Sequence, residues 1–166
     1  MAAAALLGLF ASSYLLYTYV SGAPIVCGLH SGCETVRASV WAKQFGLPRP
    51  LFGVLFYTFF YGLLVARAAT AAHKKRLLQL TQLTAILGFA ESVELFFIQW
   101  LSIKAFCLWC LTSLAATLII FSCVWMDRAD ESKETPAQAE LQRLFMLLCG
   151  FAVLAGIGFW ILLRIH

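Results

Sequence analysis

Ala105-Phe-Cys-Leu-Trp-Cys-Leu-Thr-Ser-Leu-Ala-Ala-Thr-Leu-Ile-Ile-Phe-Ser-Cys-Val-Trp-Met126 has no charged residue from one end to the other. Coiled as an α-helix at 1.5 Å per residue, this stretch is about 33 Å long, enough to cross a hydrocarbon layer about 30 Å thick. Similar apolar runs occur at 3–21, 51–69 and 77–100 before it and at 142–164 after it. The sequence therefore predicts five transmembrane helices in one domain over 1–166. Composition points the same way. The 166 residues are 62% hydrophobic and 12% charged, whereas a soluble domain is about 45–50% apolar and about 25% charged. Mean hydropathy is +0.87. A net charge of +4, from 12 basic and 8 acidic residues, is too small and scattered for a nucleic-acid footprint. The first run lacks a basic leader and a small-residue cleavage site, so it is expected to stay as a helix.

The turn after the second span holds His73, Lys74, Lys75 and Arg76, with Arg67 just before it. Basic residues in short loops mark the cytoplasmic side. The N-terminus is then cytoplasmic, as is the acidic connector 127–140. The 22–50 loop and the 102–106 turn share the outer face. In that long loop Ser31 and Glu34 have capping-box spacing, which predicts a short helix from near Gly32 toward Phe45, ended by Gly46, Pro48 and Pro50.

Four of the six cysteines fall on this outer face. Cys107 and Cys110 form a C-x-x-C where the fourth span begins, close enough to close a disulfide within one helical turn. A thiolate at a helix N-terminus is favoured by unpaired N–H groups and the helix dipole, and Lys104 lies one turn earlier. Cys27 and Cys33 bracket Gly-Leu-His-Ser-Gly, whose two glycines let the chain fold back into a loop disulfide. Cys33 falls in the first turn of the loop helix, which favours its thiolate. Two such pairs on one membrane face suggest a relay. Cys123 and Cys149 lie in apolar runs and read as inert small hydrophobes. His30 reads as an ordinary exposed loop histidine. Four thiolates would also complete a zinc tetrahedron, but the loose first spacing and the membrane-edge position of the second pair argue against one, and no metal is expected. Glu91 and Glu94 lie three apart in the outer half of the third span. Intramembrane carboxylates are costly and functional by default, so the two form a candidate proton relay.

Cys27, Cys33 and Ser39 in the outer loop, Phe-Gly-Leu-Pro followed by Leu51, Phe52 and Gly53, and Cys107-Leu-Trp-Cys110 together resemble the vitamin K epoxide reductase family. The five-residue gap in the loop pair and the fifth span resemble its bacterial branch, whose members reduce quinones to drive disulfide formation. The resemblance implies four helices around a quinone, with the fifth at the periphery. It implies that Cys107 and Cys110 are the active-site pair, with Cys110 facing the ring. Cys27 and Cys33 would be the shuttle that takes electrons from a thioredoxin-like protein, and Ser39 a serine near the relay. Phe52, Phe56 and Tyr57 would line the quinone pocket. The candidate quinone-binding set also includes Trp109 and Leu114, while Trp100 and Phe106 are further aromatics at the same depth.

Two positions depart from the vertebrate enzymes: Arg49 replaces an asparagine and Leu114 a tyrosine, both polar contacts to vitamin K. The resemblance thus implies reduction of a quinone of the ubiquinone, menaquinone or vitamin K type. Bacterial members often carry a fused thioredoxin-like domain. This chain ends at His166 and is expected to use a separate partner, with its redox site outside the cytoplasm of a bacterial inner membrane. The alternatives are a vitamin K epoxide reductase of the endoplasmic reticulum and a non-catalytic subunit braced by structural disulfides.

Overall fold

A computed structural model describes residues 1–27, 32–69 and 74–131. The helices are α1 (Ala2–Ser21), α2 (Gly32–Ala38), α3 (Arg49–Ala69), α4 (Lys74–Phe97) and α5 (Leu108–Glu131). Four helical segments are long and apolar enough to cross a membrane: Ala2–Ser21, Arg49–Ala69, Lys75–Ile103 and Leu108–Asp127. They match the first four expected spans. The fifth, 142–164, lies outside the described residues, as do His30, Ser31, Cys149 and most of the acidic connector.

Helix α1 packs on α3 and α5, and α4 packs on the same two, which closes a four-helix bundle. Its interior away from the loop disulfide and the C-x-x-C pair is built from Ala5, Tyr57, Phe60, Ala85, Ala116, Ile120 and Val124. Small residues let the backbones approach, as is usual where lipid removes a hydrophobic drive between helices. Gly8 lies against the Tyr57 ring, and a Cβ there would collide with it. The Tyr57 hydroxyl pairs with Ser113 Oγ at 2.8 Å and reaches Ser113 O at 3.0 Å, joining α3 to α5. Leu55, Phe59 and Ile119 are exposed on the bundle surface, as expected of side chains that face lipid. At the end of the bundle opposite the loop disulfide, Arg67 Nη2 meets Asp127 Oδ2 at 3.3 Å.

The outer loop differs from expectation. Helix α2 stops at Ala38 instead of running toward Phe45. Ser39 adopts extended backbone angles (φ −72, ψ 157), and its hydroxyl donates to Val36 O at 2.7 Å, satisfying a carbonyl left over at the helix end. A 3-10 turn (Val40–Ala42) follows. Next comes a two-residue hairpin, β1 (Lys43–Gln44) against β2 (Leu47–Pro48), with Lys43 opposite Pro48. Phe45 (φ 51) and Gly46 (φ 81) form its turn, the pair of positive φ angles that a tight hairpin requires. Pro50 sits in the first turn of α3, where its missing N–H costs nothing.

At the end of the third span the helix widens into a π-helical turn (Ile98–Ile103), closed by Lys104 in the left-handed region (φ 54). The fourth span starts at Leu108, three residues later than the apolar run predicts. Residues 105–107 belong to no regular element, and the Cys107 N–H is held from outside α5, by a side chain of the π-helical turn.

Candidate active site

Three elements bring the cysteines together. The C-terminus of α1 turns outward at Gly22, in the left-handed region at φ 71. The chain after it is tied to α2 by Glu34, whose Oε1 accepts the Ile25 N–H at 2.8 Å. Arg37 closes the same corner, donating to Ala23 O at 2.7 Å and Thr18 O at 3.2 Å while pairing with Glu34 Oε2 at 2.7 Å. Glu34 thus anchors α2 to the end of α1. Between them, Val26 is clamped from both sides. Its N–H donates to the Tyr14 hydroxyl at 3.0 Å, and its carbonyl accepts the Trp109 indole N–H at 2.9 Å. That indole bond links the loop directly to the C-x-x-C helix.

Cys27 and Cys33 are joined in a disulfide, whereas Cys107 and Cys110 are free thiols. The sulfurs of Cys27, Cys33 and Cys107 all lie within 4.8 Å of one another. Cys33 and Cys107 are each 1% exposed and share a core with Leu15, Ile25 and Val36. With two of the three sulfurs bonded to each other, only Cys107 offers a thiolate, so the cluster has the make-up of an exchange site more than of a metal site. Gly32 makes the closeness possible, since a Cβ on it would strike the Phe106 carbonyl oxygen. Its value lies in this approach of two backbones, not in a turn conformation.

Gln99, 2% exposed, comes from the π-helical turn. Its Oε1 accepts the Cys107 N–H at 2.7 Å, and its Nε2 donates to Leu95 O at 3.2 Å. It therefore caps the start of α5 from another helix. Sequence reasoning missed it; the available signal was an amide inside an apolar run.

The Cys107 thiol is lowered to about 7, first by a hydrogen bond from the Cys110 thiol and then by the N–H groups of Cys110 and Trp109, against the opposing effect of burial. Lys104, proposed from the sequence as part of this effect, is exposed at the end of the π-helical turn and is not among the causes. The sign is that of an acid strengthened by folding: the thiolate predominates above about pH 7 and is lost as pH falls through that value. Ultraviolet thiolate absorbance, taken as the part removed by Cys107→Ser, should therefore titrate near neutrality. In Cys110→Ala, which removes the largest cause, the midpoint should move upward.

Cys110 lines a cavity of about 270 Å³ bounded by α1, α2, the 3-10 turn, β1, α3, α4 and α5. Phe52, Phe56, Tyr57, Trp109 and Glu91 are in its wall. Gly88 is also there, packed so closely on Phe56 that a Cβ would overlap the ring. Leu114 is not in the wall; it is half-buried on α5, and its carbonyl accepts the Thr117 hydroxyl at 2.9 Å. Trp100 and Phe106 also lie outside the wall and cluster with Phe96 at centroid distances of 6.1 and 5.8 Å. Ser39 is in neither the sulfur cluster nor the cavity wall, and its hydroxyl is occupied in ending α2. Cys123 is a half-buried free thiol on α5.

Arg49 also lines the cavity although it is only 7% exposed. Its Nη2 contacts Glu94 Oε1 at 3.0 Å, and its Nε lies 3.9 Å from Glu91 Oε1. Glu94 is 6% exposed and stands behind the wall. The two acids noted in the sequence thus share one cation from the preceding span.

A four-helix membrane bundle carrying a loop disulfide beside a C-x-x-C pair, with a cavity behind that pair, defines a membrane thiol-redox protein. The sequence model of the vitamin K epoxide reductase family matches residues 1–125, and the chain belongs to that family. Membership makes it an integral membrane oxidoreductase of disulfide and quinone chemistry. No curated protein matches the chain.

Proposed function

We propose that the protein is a thiol:quinone oxidoreductase that oxidises a separate thioredoxin-like protein and passes the electrons to a membrane quinone, driving disulfide formation. The observation that carries this reading is the meeting of the Cys27–Cys33 disulfide with the Cys107 thiol inside 4.8 Å, while Cys110 lines the cavity. A sulfur relay needs the first contact, and electron delivery to a ring needs the second.

The steps follow from thiol–disulfide exchange. A partner thiolate attacks the loop disulfide at Cys27, and Cys33 leaves as a thiolate. The partner's second thiol then displaces Cys27, so the partner is oxidised and the loop pair is reduced. Cys33 attacks Cys107 of the Cys107–Cys110 disulfide, releasing Cys110. Cys27 resolves the Cys33–Cys107 bond, which restores the loop disulfide and leaves Cys107 and Cys110 reduced. Closure of the Cys107–Cys110 disulfide then gives two electrons and two protons, and the quinone takes up the same number to become a quinol. For a two-electron couple about 30 mV corresponds to about 1.4 kcal/mol, so a quinone about 100 mV more oxidising than the dithiol drives the cycle by roughly 4–5 kcal/mol.

In this reading Phe52, Phe56, Tyr57 and Trp109 hold the ring, and one of the pair Glu91 and Glu94 supplies its protons. Leu114 is left out because it stands away from the cavity. Ser39 serves the relay indirectly, by fixing the end of the helix that carries Cys33. The membrane is a bacterial inner membrane with the N-terminus in the cytoplasm; the basic cluster Lys74, Lys75 and Arg76 supports that orientation.

The test is turnover by the protein reconstituted in lipid, with a reduced thioredoxin-like dithiol protein as donor and ubiquinone or menaquinone as acceptor. One quinol is expected per disulfide formed. No quinol with any acceptor, or turnover only with vitamin K epoxide, would overturn the proposal.

A further inference from the structure

Among the described residues the buried charged side chains are Arg49 of α3 and Glu94 of α4, with the half-buried Glu91 of α4 beside them. One cation and two carboxylates in an apolar bundle balance only when one carboxylate carries a proton, because unpaired charge is costly there. The geometry separates the two acids. Glu94 has the short contact to Arg49, 3.0 Å, and is closed off behind the wall. Glu91 is 3.9 Å from Arg49 and is the one carboxylate among the residues lining the cavity. The fixed pair is thus Arg49–Glu94, and the acid left to hold and release a proton is the one that faces the substrate space.

We propose that Arg49, locked by Glu94, is a positioning residue that keeps Glu91 at the cavity wall as the proton donor for quinone reduction. This rests on the quinone-reductase reading. The proton account closes. Forming the Cys107–Cys110 disulfide from a dithiol releases two protons, and quinol formation consumes two. When Cys107 is already a thiolate, as its lowered value near neutrality allows, the thiol pair supplies only one. The Glu91 carboxylic acid supplies the other and regains it from water.

The test uses full-length protein in lipid and reads the two halves of the cycle separately. Quinol formation is followed after mixing the pre-reduced enzyme with a short-tailed ubiquinone. Relay exchange is followed by alkylation of the cysteines after adding the reduced partner. Glu91→Gln should slow quinol formation about a hundredfold or more, and Arg49→Gln should slow it in the same way, through kcat more than KM, with relay exchange at the wild-type rate. Arg49→Lys should recover part of the loss. Arg49→Gln alone leaves Glu94 buried without its partner, so the decisive variant is Arg49→Gln/Glu94→Gln, which removes both charges and spares Glu91. If Arg49 only neutralises Glu94, this double variant forms quinol as fast as wild type, and the proposal is overturned. If it is as slow as Glu91→Gln while exchange is intact, the proposal stands. Wild-type protein that forms no quinol defeats the underlying function instead, a result distinct from either.

Discussion

Cys110→Ala is expected to lower quinone reduction by at least about a thousandfold, the scale seen when a residue that forms or breaks the reacting bond is removed. Cys110 is the cysteine whose side chain reaches the 270 Å³ cavity, and Cys107 stands behind it in the sulfur cluster. Without Cys110 the electrons have no route from the buried cluster to the ring. Exchange on the outer side should persist, because Cys27, Cys33 and Cys107 remain within reach of one another. The variant should therefore still react once with a reduced thiol partner at the loop disulfide, and then stop. Simultaneous measurement of quinol and of alkylatable thiols checks this. A variant that keeps turning over would place electron delivery at another residue.

The second large effect is expected from the smallest substitution. In Gly32→Ala a methyl group would occupy the space of the Phe106 carbonyl oxygen. The obstacle is backbone on both sides, one strand of it leading into Cys107 and the other into Cys33. Overpacking of this kind costs about 1–3 kcal/mol, and the helix carrying Cys33 is the part free to yield. A displacement near 1 Å at a reacting centre costs on the order of a hundredfold in rate. The rate of exchange between Cys33 and Cys107 should fall by about that factor. Quinol formation from chemically pre-reduced Cys107 and Cys110 should be nearly unchanged. Rapid-quench alkylation of the relay cysteines, compared with single-turnover quinol formation, separates the two. Equal loss in both would mean that the bundle, not the approach of the loop, had been disturbed.

The four described spans were legible because a bilayer imposes length and apolarity on a contiguous segment, and both can be counted. The two cysteine pairs were legible because spacing and position on one face are sequence properties. The loop was misread at its middle. Its helix ends at Ala38 because Ser39 turns its hydroxyl back to Val36 O, and Phe45 takes a left-handed turn position that its side chain does not advertise. Gly32 was noticed for flexibility, whereas what matters is a carbonyl oxygen 74 positions away in the sequence (106 − 32). Gln99 and Arg49 show the same limit. One is an amide that caps a helix it does not belong to. The other is a cation at a span entrance that completes a cluster begun by Glu91 and Glu94 on the next helix. Partners that distant are set by bundle packing and leave no periodic trace along the chain.

The most direct measurement is disulfide mapping of Cys27→Ser/Cys110→Ala protein after brief mild oxidation in its membrane. Only Cys33 and Cys107 are then left in the relay. A Cys33–Cys107 bond in most of the protein is predicted, forming faster than the Cys27–Cys107 bond in Cys33→Ser/Cys110→Ala. Absence of the first bond, or faster formation of the second, would contradict the account.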